Sequence, residues 1–527
     1  MNCGPLPCPE RPSLSGEAGT LRARDRRWIL AATILGSSME FIDGTVVNIA
    51  LPSLQRSFVA TGTQVQWVVE AYALFLASLL LAGGSLGDRF GLRRAFLAGV
   101  VLFVCASVWC GLAPNLTQLL IARSMQGIAG ALLVPNSLAF LSASYSGVQR
   151  GRAIGIWSGF ASMMTAVGPV IGGWMVQHGS WRWVFFINLP IALLTVWIVL
   201  NKTPKVDAPA QPRAVDWKGA LLGTLGLSAL TYSLMEWDSA HALVRLVGIA
   251  GIATLAAFVL VERRAKEPMM PIELFQSRTF SGANILTFFL YAALSGTLFY
   301  LPLNLIQIQG FTPTQAGMAM LPLVLTLFLL SSWAGGLVDR YGPRLPLTMG
   351  PLIAACGYAL FAIPGVGQPY WKAYLPALTV LGLGMAMSVA PLTTTVMSSV
   401  TPAKSGAASG INNAISQTAA LLALAISSPL FYQAFAKSLP IRLGQHGVAP
   451  NLKTQISNQS RRLGAIETRD PLGRQAVDES FVTAFRLIAL LACGSATAAG
   501  ITAAFTVSSQ SSGSNVPGAS SVPADNR

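Results

Sequence analysis

Residues 84–93 read GSLGDRFGLR, and residues 335–344 read GGLVDRYGPR. Both fit the pattern G-x-L-x-D-R-aromatic-G-x-R, with seven positions held by identity or aromatic character. Each copy sits at the end of a long apolar block and leads into a very short loop. Basic loops and loop glycines are common in membrane proteins, but Asp, Arg, Gly and Arg repeating at the same offsets is not. The repeat divides the chain into two related halves.

The blocks around the repeat settle the class. Hydrophobic residues make up 53% of the 527 and charged residues 10%, too few charges for a soluble chain to cover its own apolar surface. The apolar residues fall in runs near the length that a helix needs to cross a ~30 Å hydrocarbon core. Fourteen spans are expected, at 28–51, 64–87, 94–113, 116–142, 152–177, 182–200, 217–236, 242–261, 281–308, 314–338, 345–364, 371–395, 406–434 and 480–505. The fold class predicted is an all-α integral membrane protein.

The net charge of +15 is spread over short loops rather than one face, which excludes nucleic acid as a partner and reads as a topology signal. With the N-terminus in the cytoplasm, the cytoplasmic segments carry 22 Lys and Arg and the outer ones 11. Seven of those 11 lie in 435–479, a polar loop expected to form a small external structure. Both termini are then cytoplasmic. The tail 1–27 has no apolar signal region and ends in the basic run Arg22, Arg24, Arg26 and Arg27. Residues 201–216 read as a linker, and 506–527, rich in Ser, Gly and Pro, as a disordered tail. Six cysteines (Cys3, Cys8, Cys105, Cys110, Cys356 and Cys493) and three scattered histidines show no ligand spacing. Neither a metal site nor a disulfide framework is expected, and no cofactor beyond a proton gradient.

The repeated pattern resembles the loop signature of the major facilitator superfamily, and the likeness extends over essentially the whole chain. The resemblance implies a major facilitator fold and a loop cluster that latches one conformation. In that cluster, which also holds Arg89, Arg93, Arg340 and Arg344, Gly84 and Gly335 are expected to permit close helix approach, Asp88 and Asp339 to pair with nearby arginines at the helix ends, and Gly91 and Gly342 to allow the tight turn. In twelve-span members the copies follow spans 2 and 8; here they follow spans 2 and 10. Two spans are therefore inserted between the halves, and 217–261 fits them. The layout is a six-helix bundle at 28–200, two inserted helices at 217–261, and a second six-helix bundle at 281–505.

Span 1 carries Glu40, Asp43 and Asn48 in EFIDGTVVNIALP (residues 40–52), which resembles the opening signature of the fourteen-span drug:proton antiporters of the EmrB/QacA type. Glu40 and Asp43, three apart, share one helix face. Ionisable groups inside a membrane are costly and usually line a pathway. Span 2 begins QWVVEAY (66–72), where Glu70 departs from the small polar residue commoner in that group. Span 4 places Arg123, Gln126, Gly127 and Gly130 in the matching R-x-x-Q-G-x-x-G pattern. Asp43, Glu70 and Arg123 lie at ~12, ~9 and ~10 Å from the outer ends of their spans at ~1.5 Å per residue. They are expected to form one outer-half cluster, with Asp43 as the leading proton site tuned by Arg123 and Glu40 and Glu70 as further carriers.

Span 5 contains Gly168, Pro169, Gly172 and Gly173, which resemble the core of the element associated with antiporters rather than uptake carriers. Trp181 and Trp183 are expected at the outer interface. Asn48, Gln126, Asn413 and Gln417 are cavity candidates, the last two within the small-residue start of span 13, and Asn284, Asn304 and Gln307 are weaker ones. The resemblance implies alternating access and proton-coupled export of small hydrophobic or cationic compounds from a bacterial inner membrane. A dedicated exporter of one metabolite or self-made antibiotic is the alternative, and a non-transporting receptor a third. No G-x-x-x-x-G-K-[ST] loop occurs, so a nucleotide-driven pump is not expected; the resemblance implies a carrier, not an enzyme. The implied partners are a small-molecule substrate, protons and the lipid bilayer. A periplasmic adaptor protein and the oligomeric state are left open.

Overall fold

A computed structural model describes residues 23–204, 216–237, 241–265, 268–401 and 404–508. Most of the N-terminal tail (with Arg22, Cys3 and Cys8), most of the 201–216 linker and the end of the C-terminal tail lie outside the described residues.

The first half is built from α1 (Ala23–Phe58), α2 (Gly62–Phe90), α3 (Leu92–Leu112), α4 (Leu116–Ser144) and α5 (Gly147–His178), followed by α6 (Trp183–Phe186) and α7 (Asn188–Lys202) as one span. Then come α8 (Trp217–Met235) and α9 (Ala242–Arg264). The second half has α10 (Arg278–Leu303), ending in a π turn at Asn304–Ile308, then α11 (Pro313–Ala319) and α12 (Leu321–Tyr341) in succession. It continues with α13 (Arg344–Phe361), α14 (Tyr370–Ala373), α15 (Leu375–Ser398), α16 (Ser405–Gln445), the short α17 (Pro450–Asn458) and α18 (Pro471–Thr506).

Local chemistry explains the breaks. Thr61 and Gln64 form a capping box that starts α2, and Thr312 and Gln315 form another that starts α11. Asn115 and Asp470 cap α4 and α18 through the amides of Gln118 and Gly473. Gly91 and Gly342 have φ of +95° and +74°, so each short loop turns on the residue type that tolerates that backbone, as the repeat predicted.

Thirteen helices among the described residues are long and apolar enough to cross a membrane. Each matches an expected span. The expected span at 217–236 is a helix, α8, but Lys218, Thr224, Ser228, Thr231 and Ser233 dilute its apolar run. The loop expected at 435–479 is more ordered than its polarity suggested. α16 continues to Gln445, α17 and a 3-10 turn at Ser460–Ala465 follow, and α18 begins at Pro471. At 41 residues α16 is ~60 Å long, twice the hydrocarbon thickness, so its end must project beyond the bilayer.

The two halves repeat one packing scheme. α1 packs on α5 and α7, α4 on α2 and α3; correspondingly α10 packs on α16 and α18, α15 on α12 and α13. Between halves, α2 meets α16 and α5 meets α11. α8 pairs with α9 and leans on α2 and α16, with Leu227 in a cluster with Leu74 and Leu421.

At the end away from the loop motifs the halves are tied together. Gln307 Nε2 donates to Gln55 Oε1 at 2.8 Å, and the Thr314 amide to Gln177 Oε1 at 3.3 Å. A Cβ on Gly173 would strike the Pro313 backbone, and one on Gly317 the Pro169 backbone. Three- and four-residue steps down the same face of α5 lead to Gly159 and Gly155, where nothing lies within 4 Å of a Cβ position. On this face, then, α5 leaves the second half toward the loop-motif end, while α2 and α16 still touch there through Leu81 and Gly410.

Candidate functional site

Asp43 and Arg123 are brought into direct contact. Arg123 Nη1 donates to Asp43 Oδ2 at 2.6 Å, with Asp43 fully buried and Arg123 1% exposed. Gln126, one turn along α4 from Arg123, closes the ring: its Nε2 donates to Asp43 Oδ1 at 2.8 Å, and its Oε1 accepts from Arg123 Nη1 at 2.8 Å. Arg123 Nε donates to the Val68 carbonyl at 3.0 Å. The three side chains bond to one another and to the Val68 carbonyl, the kind of pairing that a buried charge needs. The i,i+3 spacing within each helix makes this work. Asp43 occupies the α4-facing side of α1, and Arg123 and Gln126 present adjacent polar ends to it.

Tyr72 was not among the predicted site residues. Its ring centroid lies 4.4 Å from the Arg123 guanidinium carbon, the Phe185 ring lies 5.9 Å away, and the buried Tyr72 hydroxyl has no hydrogen-bond partner. Its signal lay in the quoted QWVVEAY segment, where a single aromatic in an apolar helix cannot announce its neighbour. Glu40 lies one turn nearer the loop-motif end than Asp43, buried, and close enough to interact electrostatically with Asp43 and Tyr72.

Glu70 does not join this cluster. It is fully buried at the seam between halves, where Gln66 Nε2 lies 3.5 Å from Glu70 Oε1 and donates to the Leu424 carbonyl of α16 at 2.7 Å. Glu70 Oε2 has no partner. Similar depth was expected to group Glu70 with Asp43; its direction around α2 instead carries it to the other half. The nearby Tyr300 ring stacks on Phe431 at 4.2 Å, across α10 and α16.

The antiporter-type glycines act as contact points. A Cβ on Gly168 would strike Thr45, and one on Gly172 would strike Val46, both on α1, while Gly173 abuts Pro313. Pro169 lies within an unbroken α5, its carbonyl against Gly317. In the first loop motif, close approach is made by residues beside the predicted one. A Cβ on Gly83 would strike Ala131 and one on Gly87 Asn136, both on α4, whereas at Gly84 it would stand 3.6 Å from Pro135 and at Gly335 in open space. Asp88 is half-buried, Arg89 exposed, and Arg93 donates to the Val199 carbonyl at 2.6 Å and to Thr203 Oγ1 at 3.1 Å at the end of α7. Asp339 lies in the last turn of α12, followed by Arg340, Gly342 and Arg344 at the α12–α13 turn.

Asn48 is half-buried, and Gly44, four residues before it, is exposed with nothing within 4 Å of a Cβ position. Asn413 is exposed and Gln417 half-buried; the neighbouring Asn412 instead bonds to Asn284 Oδ1 at 3.1 Å and Thr287 Oγ1 at 2.6 Å on α10. Asn304 Oδ1 accepts from Gln309 Nε2 at 3.3 Å. Trp183 is exposed as an interfacial residue should be, but Trp181 is buried, its Nε1 donating to Ser57 Oγ at 3.1 Å between the rings of Phe58 and Phe185.

A repeated six-helix packing, with a buried ion pair in one half and a cavity between halves, is carrier architecture. Residues 33–424 match the family model described as Major Facilitator Superfamily. This chain belongs to the major facilitator superfamily. It is a multi-pass membrane transporter of small molecules, not an enzyme. Among curated relatives it is 32% identical over 482 residues to the Multidrug resistance protein Stp of Mycobacterium tuberculosis, covering 88% of each chain. It is 34% identical over 432 residues to the Puromycin resistance protein pur8 of Streptomyces alboniger, covering 81% of this chain and 85% of that one. With the Tetracenomycin C resistance and export protein of Streptomyces glaucescens it shares 31% over 504 residues, 92% of each. Among solved structures, a bacterial homologue of the lysosomal transporter Spinster, inward-facing and unoccupied, superposes with a TM-score of 0.65 at 17% identity over 92% of this chain and 98% of that one. These superfamily neighbours share the fold.

Proposed function

We propose that this superfamily member is a fourteen-span, proton-coupled exporter of small hydrophobic or cationic organic compounds, with six, two and six helices and both termini in the cytoplasm. The loop-motif end is then the cytoplasmic end, and the conformation described is open to the cytoplasm. The observation that carries the reading is the Asp43–Arg123–Gln126 ring, a buried titratable pair where the antiporter-type sequence elements of α1 and α4 meet. The resistance and export names of relatives aligned over most of the chain support the direction of transport.

Asp43 is the exchanged-proton site in this reading. A proton on Asp43 cancels its attraction to Arg123, and the pair re-forms when the proton leaves. In this reading the exposed Gly44 and the half-buried Asn48 face the transport path while Asp43 faces α4, so a shift of α1 is felt at both. Glu40 lies between Asp43 and the open end, and Glu70 is a separate carboxyl at the seam that must part for release. The two bundles rock about the cavity, with α5 and α11 in contact at the outer end in this state. A dedicated exporter of one metabolite or self-made antibiotic is the second reading, compatible with the single compounds named in two of the relatives.

Purified protein in liposomes tests both readings. Export driven by an imposed pH gradient is expected, and Asp43→Asn is expected to abolish the proton dependence; full proton-driven export by that variant would refute the assignment. Competition by several unrelated lipophilic cations would rule out the single-compound reading.

A further inference from the structure

Arg123 is 1% exposed and cannot turn to water when Asp43 is neutral. What remains around the guanidinium is Gln126 Oε1, the Val68 carbonyl and the face of Tyr72, its ring centroid 4.4 Å away. Tyr72 is 5% exposed and its hydroxyl has no partner, so the ring, not the hydroxyl, is what this tyrosine brings to the site. An aromatic face carries negative potential; it attracts a cation and disfavours a neighbouring carboxylate. While Asp43 and Arg123 are paired these two effects oppose each other. Once Asp43 is protonated, only the attraction is left.

We infer that Tyr72 is a positioning residue for proton exchange: its ring holds the Arg123 guanidinium in place while Asp43 carries the proton, so that the pair re-forms when the proton departs. This rests on Asp43 being the proton site. The titratable and charged groups facing the pair are Glu40 on α1, Tyr72 on α2, Cys110 on α3 and Arg123 on α4, and the sixth span adds the Phe185 ring at 5.9 Å. Glu40 interacts with both Asp43 and Tyr72, so the effect of a Tyr72 substitution is read on the signal that belongs to Asp43 alone. Removing the ring withdraws support from the state with neutral Asp43, and Asp43 then takes up its proton only at lower pH.

The titration of Asp43 is read without any transported compound, as the pH-dependent carboxyl C=O infrared band that Asp43→Asn removes from the purified full chain. Tyr72→Phe keeps the ring and is expected to keep the wild-type midpoint. Tyr72→Leu is expected to lower the midpoint, because it removes the ring that disfavours the neighbouring carboxylate. If Tyr72→Leu fails to accumulate, Tyr72→Met against Tyr72→Trp makes the same comparison. A wild-type midpoint in the variant without the ring, or an equal shift in Tyr72→Phe, overturns the role of the ring while leaving Asp43 as proton site. No band removed by Asp43→Asn sinks both.

Discussion

Gln55 on α1 and Gln307 beyond α10 share a 2.8 Å hydrogen bond that joins the two halves at their closed end. Around it the segment between α16 and α18 is fitted across the seam. Gln55 Nε2 donates to the Arg462 carbonyl at 3.0 Å, and Arg474 donates to the carbonyls of Gln307, Gly464 and Ile466. Leu463, with a φ of +56° that a leucine rarely adopts, presses its side chain onto Gly62 at the start of α2.

That contact must break if the halves part. A Cβ on Gly62 would stand 3.2 Å from Leu463 Cγ, the position a cysteine sulfur would take, which is within reach of a disulfide. The double variant Gly62→Cys, Leu463→Cys, in a background without other cysteines, is expected to cross-link under oxidation and to stop export, with reductant restoring it. Export that continues through a formed cross-link would mean that these ends never separate.

The buried pair also bears on stability. Removing one partner leaves a charge or a donor without its match, at a cost of about 3–5 kcal/mol. Arg123→Met should therefore lower the melting temperature of the purified protein more than Arg123→Met combined with Asp43→Asn. Thermal unfolding in detergent gives the ranking, and equal melting temperatures would indicate that Asp43 finds another partner.

Glycines on one face of α5 should differ in effect according to depth. Gly173→Val drives a side chain into the Pro313 backbone and is expected to hold the outer end open, raising outer labelling of a cysteine placed near Gln55. Gly159→Ala meets open space in the described conformation and should leave that labelling unchanged. A reversed order would contradict the opening at the loop-motif end.

Gly91→Ala places a Cβ at φ +95°, and Gly342→Ala one at +74°. Each should cost roughly 1–3 kcal/mol, the penalty for a residue with a side chain held at positive φ with extended ψ. Reduced yield and a lower melting temperature are the expected outcome; Gly335→Ala, in open space, is the control and should match wild type.

The apolar runs, the repeated loop and the polar residues buried in spans 1, 2 and 4 were all legible in the sequence, because hydropathy and helix periodicity are local. From those alone came the membrane class, the two-half plan, the glycine turns at Gly91 and Gly342, and the depth that Asp43 and Arg123 share. What the sequence left open was direction around each helix axis. Spacing places Glu40 and Asp43 on one face but does not say what that face meets; the packing of α1 against α4 decided it. Depth alone put Glu70 beside Asp43, whereas the rotation of α2 turned it to the seam with α16. The same azimuth makes Gly83 and Gly87, not Gly84, the close contacts with α4, and turns Trp181 inward. Polarity marked 435–479 as external, yet only tertiary contacts from Gln55, Gly62 and Arg474 made it a bridge between halves. Helix rotation and loop docking are set by partners distant in sequence, so tertiary structure alone could decide them.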